Sequence, residues 1–530
     1  MSRRKKKVIA IITTVAILLV ALCASGVALD VANSLFKNNT PTYITLESPV
    51  NGIIRKSDDY EAYVFEIEKD GALSICLEHE DFIDSTKSGW VVTLYKIDKG
   101  DDYKEVAYYE SFWNDMTSSW PEVGLGAGTY CIVVKAGLYF LESEYTLTTS
   151  FTETSSYEKE FNDTKETANP VEVSYGKYAS SNNRSTGTDV DWYTFEIYED
   201  SCVNVSFVHP DETFPQVGWV ITLTNEKNEK ITQFTSRLTE LDIKTGALGL
   251  KAGRYYLCVE SQTELCQEYT VLVGSDKAVN SEFEMNDSPE TSIPIPMNIK
   301  MTGCLADRLL GLDKDYYKFE VEADGYIDVE FTHDNQNEDK NGWNIRVLKA
   351  MDDGTYYEVV RKVSKWNQEK LRIESLGLSK GEYYLLVDGD SVSYNSATYT
   401  LSWSFTQADN FEQEPNGDVG TAMPIEAGTF YHGAIISSDV SYDEDYYKFE
   451  LATKTNVSID FRHEAGDKDD VCWYLSILND RNEEMVFTDI KLSSEISTTG
   501  VVTLPAGTYY VKVETGMYGS EIPYYFRLKR

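Results

Sequence analysis

Glu158, Glu160, Asn162 and Asp163 fall together in the run E-K-E-F-N-D. The pattern returns at Glu282, Glu284, Asn286 and Asp287, and again at Glu412, Glu414 and Asn416, where Gly417 and Asp418 follow. Downstream of each run lies a pair of acids: Asp189 and Asp191, Asp313 and Asp315, Asp443 and Asp445. From the second Glu to the second Asp the interval is 31 residues in all three cases. Carboxylate and amide oxygens alternating on an extended segment, with two more carboxylates at a strand entry, are the ligands of a hard cation such as calcium. A merely solvated acidic linker has no reason to keep a fixed interval. The expected cofactor is therefore calcium, with these residues as its ligands.

Other recurring residues point to packing rather than chemistry. His79, His209, His333 and His463 recur at steps of 130, 124 and 130 residues, each at a strand end on the buried parity. One histidine per repeat is too few for a zinc site, which takes three or four protein ligands. They are expected as half-buried imidazoles at the lip of a sandwich. No nucleophile recurs beside them, and no G-x-S-x-G or H-E-x-x-H motif occurs in the chain. Trp90, Trp219, Trp343 and Trp473 share parity with neighbouring aliphatics and are expected in the core. Off that parity stand Trp192, Tyr316 and Tyr446 at one equivalent position, and Tyr256, Tyr384 and Tyr510 at another. These six are the candidates for an outward ligand face, since strand-surface tyrosine offers rigid contact area with a polar tip.

The elements that must position these residues are strands. Tyr447, Phe449 and Leu451 alternate with polar residues, as do Val457, Ile459 and Phe461. This period of two marks strands with one buried face. Glycines 128, 253, 381 and 507 open a late Gly-aromatic strand in the same repeat. At ~125 residues each copy is a domain rather than a solenoid unit. The expectation is an all-β chain of four tandem antiparallel β-sandwich domains, each of seven or eight strands. The boundaries are 41–152 for a degenerate first repeat, then 153–275, 276–406 and 407–530. Short joints between them imply a semi-rigid monomer.

E-x-E-x-N-D entering the domain, D-x-D-[WY]-Y-x-F and the late [AK]-G-x-Y-Y strand together resemble the bacterial pre-peptidase C-terminal domain, a family that includes the collagen-binding domains of clostridial collagenases. The resemblance covers residues ~157–530 well and the first copy in part. It implies a jelly-roll-like sandwich, calcium held by the N-terminal linker, and an accessory or binding role on secreted proteins. The first copy departs: its strand entry reads Ser57-Asp58-Asp59-Tyr60-Glu61 with no E-x-E-x-N-D before it.

Bulk properties bound the partners. The formal net charge of −39 repels phosphate and anionic lipid, so nucleic acid is not an expected partner. Arg3 to Lys7 form a basic cluster, and Val8 to Leu29 then run 22 residues without a charge. Residues 1–29 read as a signal peptide or a membrane anchor, with the body outside the cell membrane. Membrane contact is expected through this segment alone. The scattered cysteines do not define a disulfide scaffold, although Cys258 and Cys266 form the most plausible local pair. Four modules fill the chain after residue 29, which argues against an enzyme. The expected function is an extracellular binding or adhesion protein for a matrix-type protein or polysaccharide, with a structural spacer or a secreted hydrolase as alternatives.

Overall fold

The computed structural model describes residues 41–530 apart from 81–82, 84, 99–101, 186, 265, 307–312, 390–396 and 437–442. The segment 1–29 and Cys23 lie outside the described residues. Among the described residues no helix is long and apolar enough to cross a membrane.

The chain forms two compact units. The first holds modules one and two. The second holds modules three and four, together with the short segments Asp200–Cys202 and Gly246–Lys251. Every module is a sandwich of two sheets.

In module two one sheet runs in the order Asn169–Pro170, Val190–Ile197, Gly253–Ser261, Val217–Asn225, Lys230–Arg237. The facing sheet runs Lys177–Ser180, Glu268–Lys277, Ser201–Val208, Asp242–Lys244. Only the two-residue edge strand Asn169–Pro170 pairs parallel to its neighbour. The same order, with the same parallel edge pair, returns in the other three modules. Among the described residues the modules contain ten, ten, nine and ten strands. The surplus over seven or eight comes from edge strands of two or three residues, too short to carry a period-two signal.

The alternating residues face one another between the sheets. Trp90, Trp219, Trp343 and Trp473 lie fully buried at equivalent positions. Each carries its repeat's histidine against its indole, with ring centroids 4.5, 4.5, 4.1 and 4.5 Å apart. These histidines are buried rather than half-buried, and their ring nitrogens meet main-chain carbonyls or serine hydroxyls, apart from His79 Nδ1, which is buried without a hydrogen-bond partner. The role is structural: the imidazole closes the Trp end of the core. All seven described cysteines are unpaired, so the Cys258–Cys266 bridge is not formed. Cys266 instead packs against the core of module one.

Candidate metal centres

The sites form where each linker meets its own sandwich. In module two the linker runs beside Lys177–Ser180, and Glu158 N donates to Tyr178 O at 2.8 Å. This places the Glu158 carboxylate inside the domain. Its Oε1 accepts from Ser180 N at 2.9 Å, and its Oε2 accepts from the Tyr193 hydroxyl at 2.7 Å and from Asn162 Nδ2 at 3.1 Å. The strand Val190–Ile197 turns Asp191 to the same interior, where Oδ2 accepts from the Tyr269 hydroxyl at 2.5 Å. Tyr193 and Tyr269 meet hydroxyl to hydroxyl at 2.7 Å. Three contacts in this chain share only two hydroxyl protons. With both hydroxyls donating to carboxylates, the contact between the tyrosines holds no proton, and a proton on either carboxyl group would complete it.

Modules three and four repeat the arrangement of glutamate, tyrosine pair and aspartate, although Asn416 Nδ2, unlike Asn162 Nδ2 and Asn286 Nδ2, makes no hydrogen bond. Glu282 Oε1 accepts from Cys304 N at 2.6 Å, and Glu412 Oε1 accepts from Ala434 N at 2.8 Å. Tyr317 and Tyr399 bridge Glu282 to Asp315, while Tyr447 and Tyr524 bridge Glu412 to Asp445. The outer acids Asp189, Asp313 and Asp443 each accept from a main-chain N–H, of Asn182, Ala306 and Ile436. The tyrosine pairs were not among the sequence candidates. Their signal was present, because Tyr145, Tyr269, Tyr399 and Tyr524 recur at steps of 124, 130 and 125.

The carboxylates crowd one another away from water. Burial, then the charge of Asp189, pushes Glu158 up to about 7. Burial likewise raises Asp189 to about 6 and Asp445 to about 6. Glu160, Asp191, Asp315, Glu412, Glu414 and Asp443 are also raised well above the carboxylate range, first by burial and then by neighbouring acids. Within this setting, among the described residues, two oxygens at equivalent positions in each of modules two, three and four are buried with no hydrogen-bond partner. They are Asn162 Oδ1 and Asp191 Oδ1, Asn286 Oδ1 and Asp315 Oδ1, Asn416 Oδ1 and Asp445 Oδ1. A buried acceptor left unmade costs about 1–3 kcal/mol, so the same pair in three copies calls for a partner. In two modules the acids also converge, with ligand oxygens of Glu160, Asp189 and Asp191, and of Glu414, Asp443 and Asp445, all within 4.8 Å of one another. These two clusters have the oxygen chemistry and spacing to hold a metal ion. Among the described residues module three does not close to that spacing, although Glu282, Asn286, Asp313 and Asp315 are fully buried.

The remaining candidates fall outside this core. Asp163 is bound by Arg184, and Asp287 is half-buried at the same register. Asp418 does not join its cluster. It is exposed, and its Oδ1 caps a turn by accepting from Gly420 N at 2.6 Å and Thr421 N at 3.0 Å. Its register is that of Thr164 and Ser288, which close the same turn through hydroxyls. The position of Asp163 is taken in module four by Gly417, which has no ligand to offer.

Module one shows what replaces the site. Glu61 stands at the register of Asp191, but its longer side chain reaches both tyrosines. Its Oε2 accepts from Tyr63 at 2.9 Å, from Tyr145 at 2.6 Å and from Ile53 N at 3.2 Å. One carboxylate thus does the work of Asp191 and Glu158 together. The buried second acid, and the crowding it causes, are gone.

The linkers also join the modules. Glu160 N donates to Gly124 O of module one at 3.0 Å, and Glu414 N donates to Gly377 O of module three at 3.1 Å. The approach is close enough to require glycine. A Cβ on Gly124 would lie 2.0 Å from Glu158 O, and one on Gly377 would lie 2.3 Å from Glu412 O. The segment that carries the ligands is therefore also the joint.

The six aromatic candidates do not form an open face. Tyr384 is 4% exposed and Tyr446 6%, and the other four are half-buried. Tyr384 packs edge-on against Tyr316 and Tyr356, Tyr446 lies under Lys512 Nζ at 5.6 Å, and Tyr256 lies under Lys165 Nζ at 4.1 Å. Their parity places all six away from the inter-sheet core. Neighbours on the outer face nonetheless pack against Tyr256, Tyr316, Tyr384 and Tyr446.

No family model matches the chain. Among solved structures, the pre-peptidase C-terminal domain of a collagenase from Bacillus anthracis is similar at 20% identity, covering 21% of this chain and 100% of that one, with a TM-score of 0.17. A putative secreted protein from Eubacterium rectale is similar at 11% identity, over 46% of this chain and 81% of that one, with a TM-score of 0.16. The tandem CBM22 domains of Xyn10C from Paenibacillus barcinonensis are similar at 11% identity, over 40% and 82%, with a TM-score of 0.15.

Proposed function

We propose that this chain is a non-catalytic extracellular binding or adhesion protein whose modules two, three and four are stabilised by calcium held between linker and sandwich. One observation carries the reading: the paired, partnerless oxygens of Asn162 and Asp191, and of their counterparts in modules three and four, buried among carboxylates. Calcium suits them because every ligand is a hard oxygen and the carboxylates bring high negative charge. Bound there, the ion supplies the positive charge that the buried acids lack. This chain's own residues do the rest: Glu158 and its counterparts fix the linker to the sandwich through main-chain amides, and Glu160 and Glu414 tie it to the preceding module. A cation at these points stiffens the joints, which suits a protein that must hold binding modules apart under load.

The partner proposed is an extracellular polymer, a matrix-type protein or a polysaccharide, reached by a monomer secreted or anchored through residues 1–29. The test is retention of the chain on an array of matrix proteins and polysaccharides, in calcium and in chelator. Retention that depends on calcium supports the reading. No retention on any polymer, with calcium-dependent stability intact, favours the spacer role.

A further inference from the structure

While a second base, Lys104, reaches only the outer acid Asp163, at 3.8 Å, Arg184 is seated among the module-two ligands. Its guanidinium lies with Nη1 2.5 Å from Asp163 Oδ1, and with Nη2 3.1 Å from Glu160 Oε2 and 3.7 Å from Asp189 Oδ1. Two of these three acids belong to the convergent metal cluster. The side chain is only 18% exposed. Resting on the calcium reading, we propose that Arg184 is a resident cation that competes with the divalent ion for the outer oxygens of module two. This site should then fill at higher calcium than the site of module four.

Three observations support the competition. A guanidinium and a divalent ion cannot share the same carboxylate lone pairs, and at this range they repel. Arg184 is not a finished structural clasp, because its Nε is buried without a hydrogen-bond partner. Its loop is also held in place by module one: Glu105 accepts from Ser185 N at 2.5 Å and from Ser185 Oγ at 2.7 Å, and Tyr108 N donates to Asn183 O at 2.9 Å. Among the described residues no basic side chain is ion-paired to Glu414, Asp443 or Asp445 of the module-four cluster. The module-four sequence has Ser438 at the register of Arg184, whereas module three has Arg308; both lie outside the described residues. Lys349 approaches module four but donates to Ser379 Oγ and the main-chain oxygen of Glu414, leaving the carboxylates to a cation.

The test is hydrogen exchange of the full chain during a calcium titration, read on peptides spanning 158–163 and 412–416, in wild type, Arg184→Gln and Arg184→Lys. In wild type the midpoint for 158–163 should lie at higher calcium than that for 412–416. Arg184→Gln should lower the first midpoint about tenfold or more and leave the second unmoved. Arg184→Lys, which keeps the charge, should stay near wild type, and protection in chelator reports whether each variant folds. An unmoved or raised midpoint in a folded Arg184→Gln protein overturns the proposal and leaves the calcium reading standing. Absence of calcium-dependent protection at 412–416 in every protein overturns the calcium reading, and this inference with it.

Discussion

Asp191→Asn changes one buried charge and almost no volume, and its effect should reverse sign with calcium. The amide oxygen of the substituted side chain can still accept from the Tyr269 hydroxyl, so the tyrosine chain survives. What disappears is one carboxylate among ligand oxygens that lie within 4.8 Å. At an effective dielectric of 20, two unit charges at that separation repel by about 3.5 kcal/mol. Proton uptake by Glu158, raised to about 7, relieves part of this near neutral pH. Burial raises Asp191 as well, so in chelator the variant should gain about 1–3 kcal/mol over wild type only at a pH high enough to ionise Asp191 in the folded protein. In saturating calcium it should lose, because a ligand and its charge are gone. Mass action gives the scale: wild type gains about 2.7 kcal/mol at a hundredfold excess over the dissociation constant, and the variant forfeits most of it. Exchange rates of module-two core amides across a denaturant series, in calcium and in chelator, measure both arms. Destabilisation of equal size in both conditions would refute the reasoning, since Asp191 would then be an ordinary hydrogen-bond acceptor.

Three further outcomes follow from the same geometry. Glu61→Ala should destabilise module one by about 1–3 kcal/mol, equally in calcium and chelator as read from module-one amide exchange, because the Tyr63 and Tyr145 hydroxyls, 2.9 Å apart, can satisfy only one of their two protons between them. In chelator, module two should lose stability as pH rises. Glu158 titrates higher in the folded state than in the unfolded one, so its contribution is full below about 4.5 and is lost through about 7; denaturant midpoints across pH 4–8 check this, and saturating calcium should abolish the fall. Trp473→Ala should cost module four about 3–5 kcal/mol without changing calcium affinity, because the indole lies in the core and touches no ligand.

The fold was legible because its signals are periodic. Trp90 and its three counterparts fixed the repeat, and the alternation of Tyr447, Phe449 and Leu451 fixed the buried face. The acids were legible as spacing: Glu160 and Asp191 stand 31 residues apart because the linker and the strand entry converge in three dimensions. Other features do not reduce to spacing. Asp418 lies one residue beyond the Asp163 register, and on that turn one residue separates a ligand from a cap. Glu61 reads as a conservative change for Asp, yet one methylene lets it reach both tyrosines. Tyr384 sits off the core parity, but parity names a face and does not say which neighbours cover it. Arg184 lies between the two acidic runs in sequence, and only the path of its loop brings it to the ligands.

The central claim is that the partnerless oxygens beside the buried acids take calcium. Scanning calorimetry of the full chain in ~10 mM calcium and in chelator tests it most directly. Sites of the ~10⁻⁴ M class would be filled about a hundredfold over, adding about 2.7 kcal/mol to each module that binds. For modules of this size that raises the midpoint by about 10 °C. The account predicts upward shifts for the transitions of modules two to four, that full shift for module four and a smaller one for module two with its resident Arg184, with a calcium-insensitive transition left for module one. Superimposable scans in calcium and chelator would contradict it.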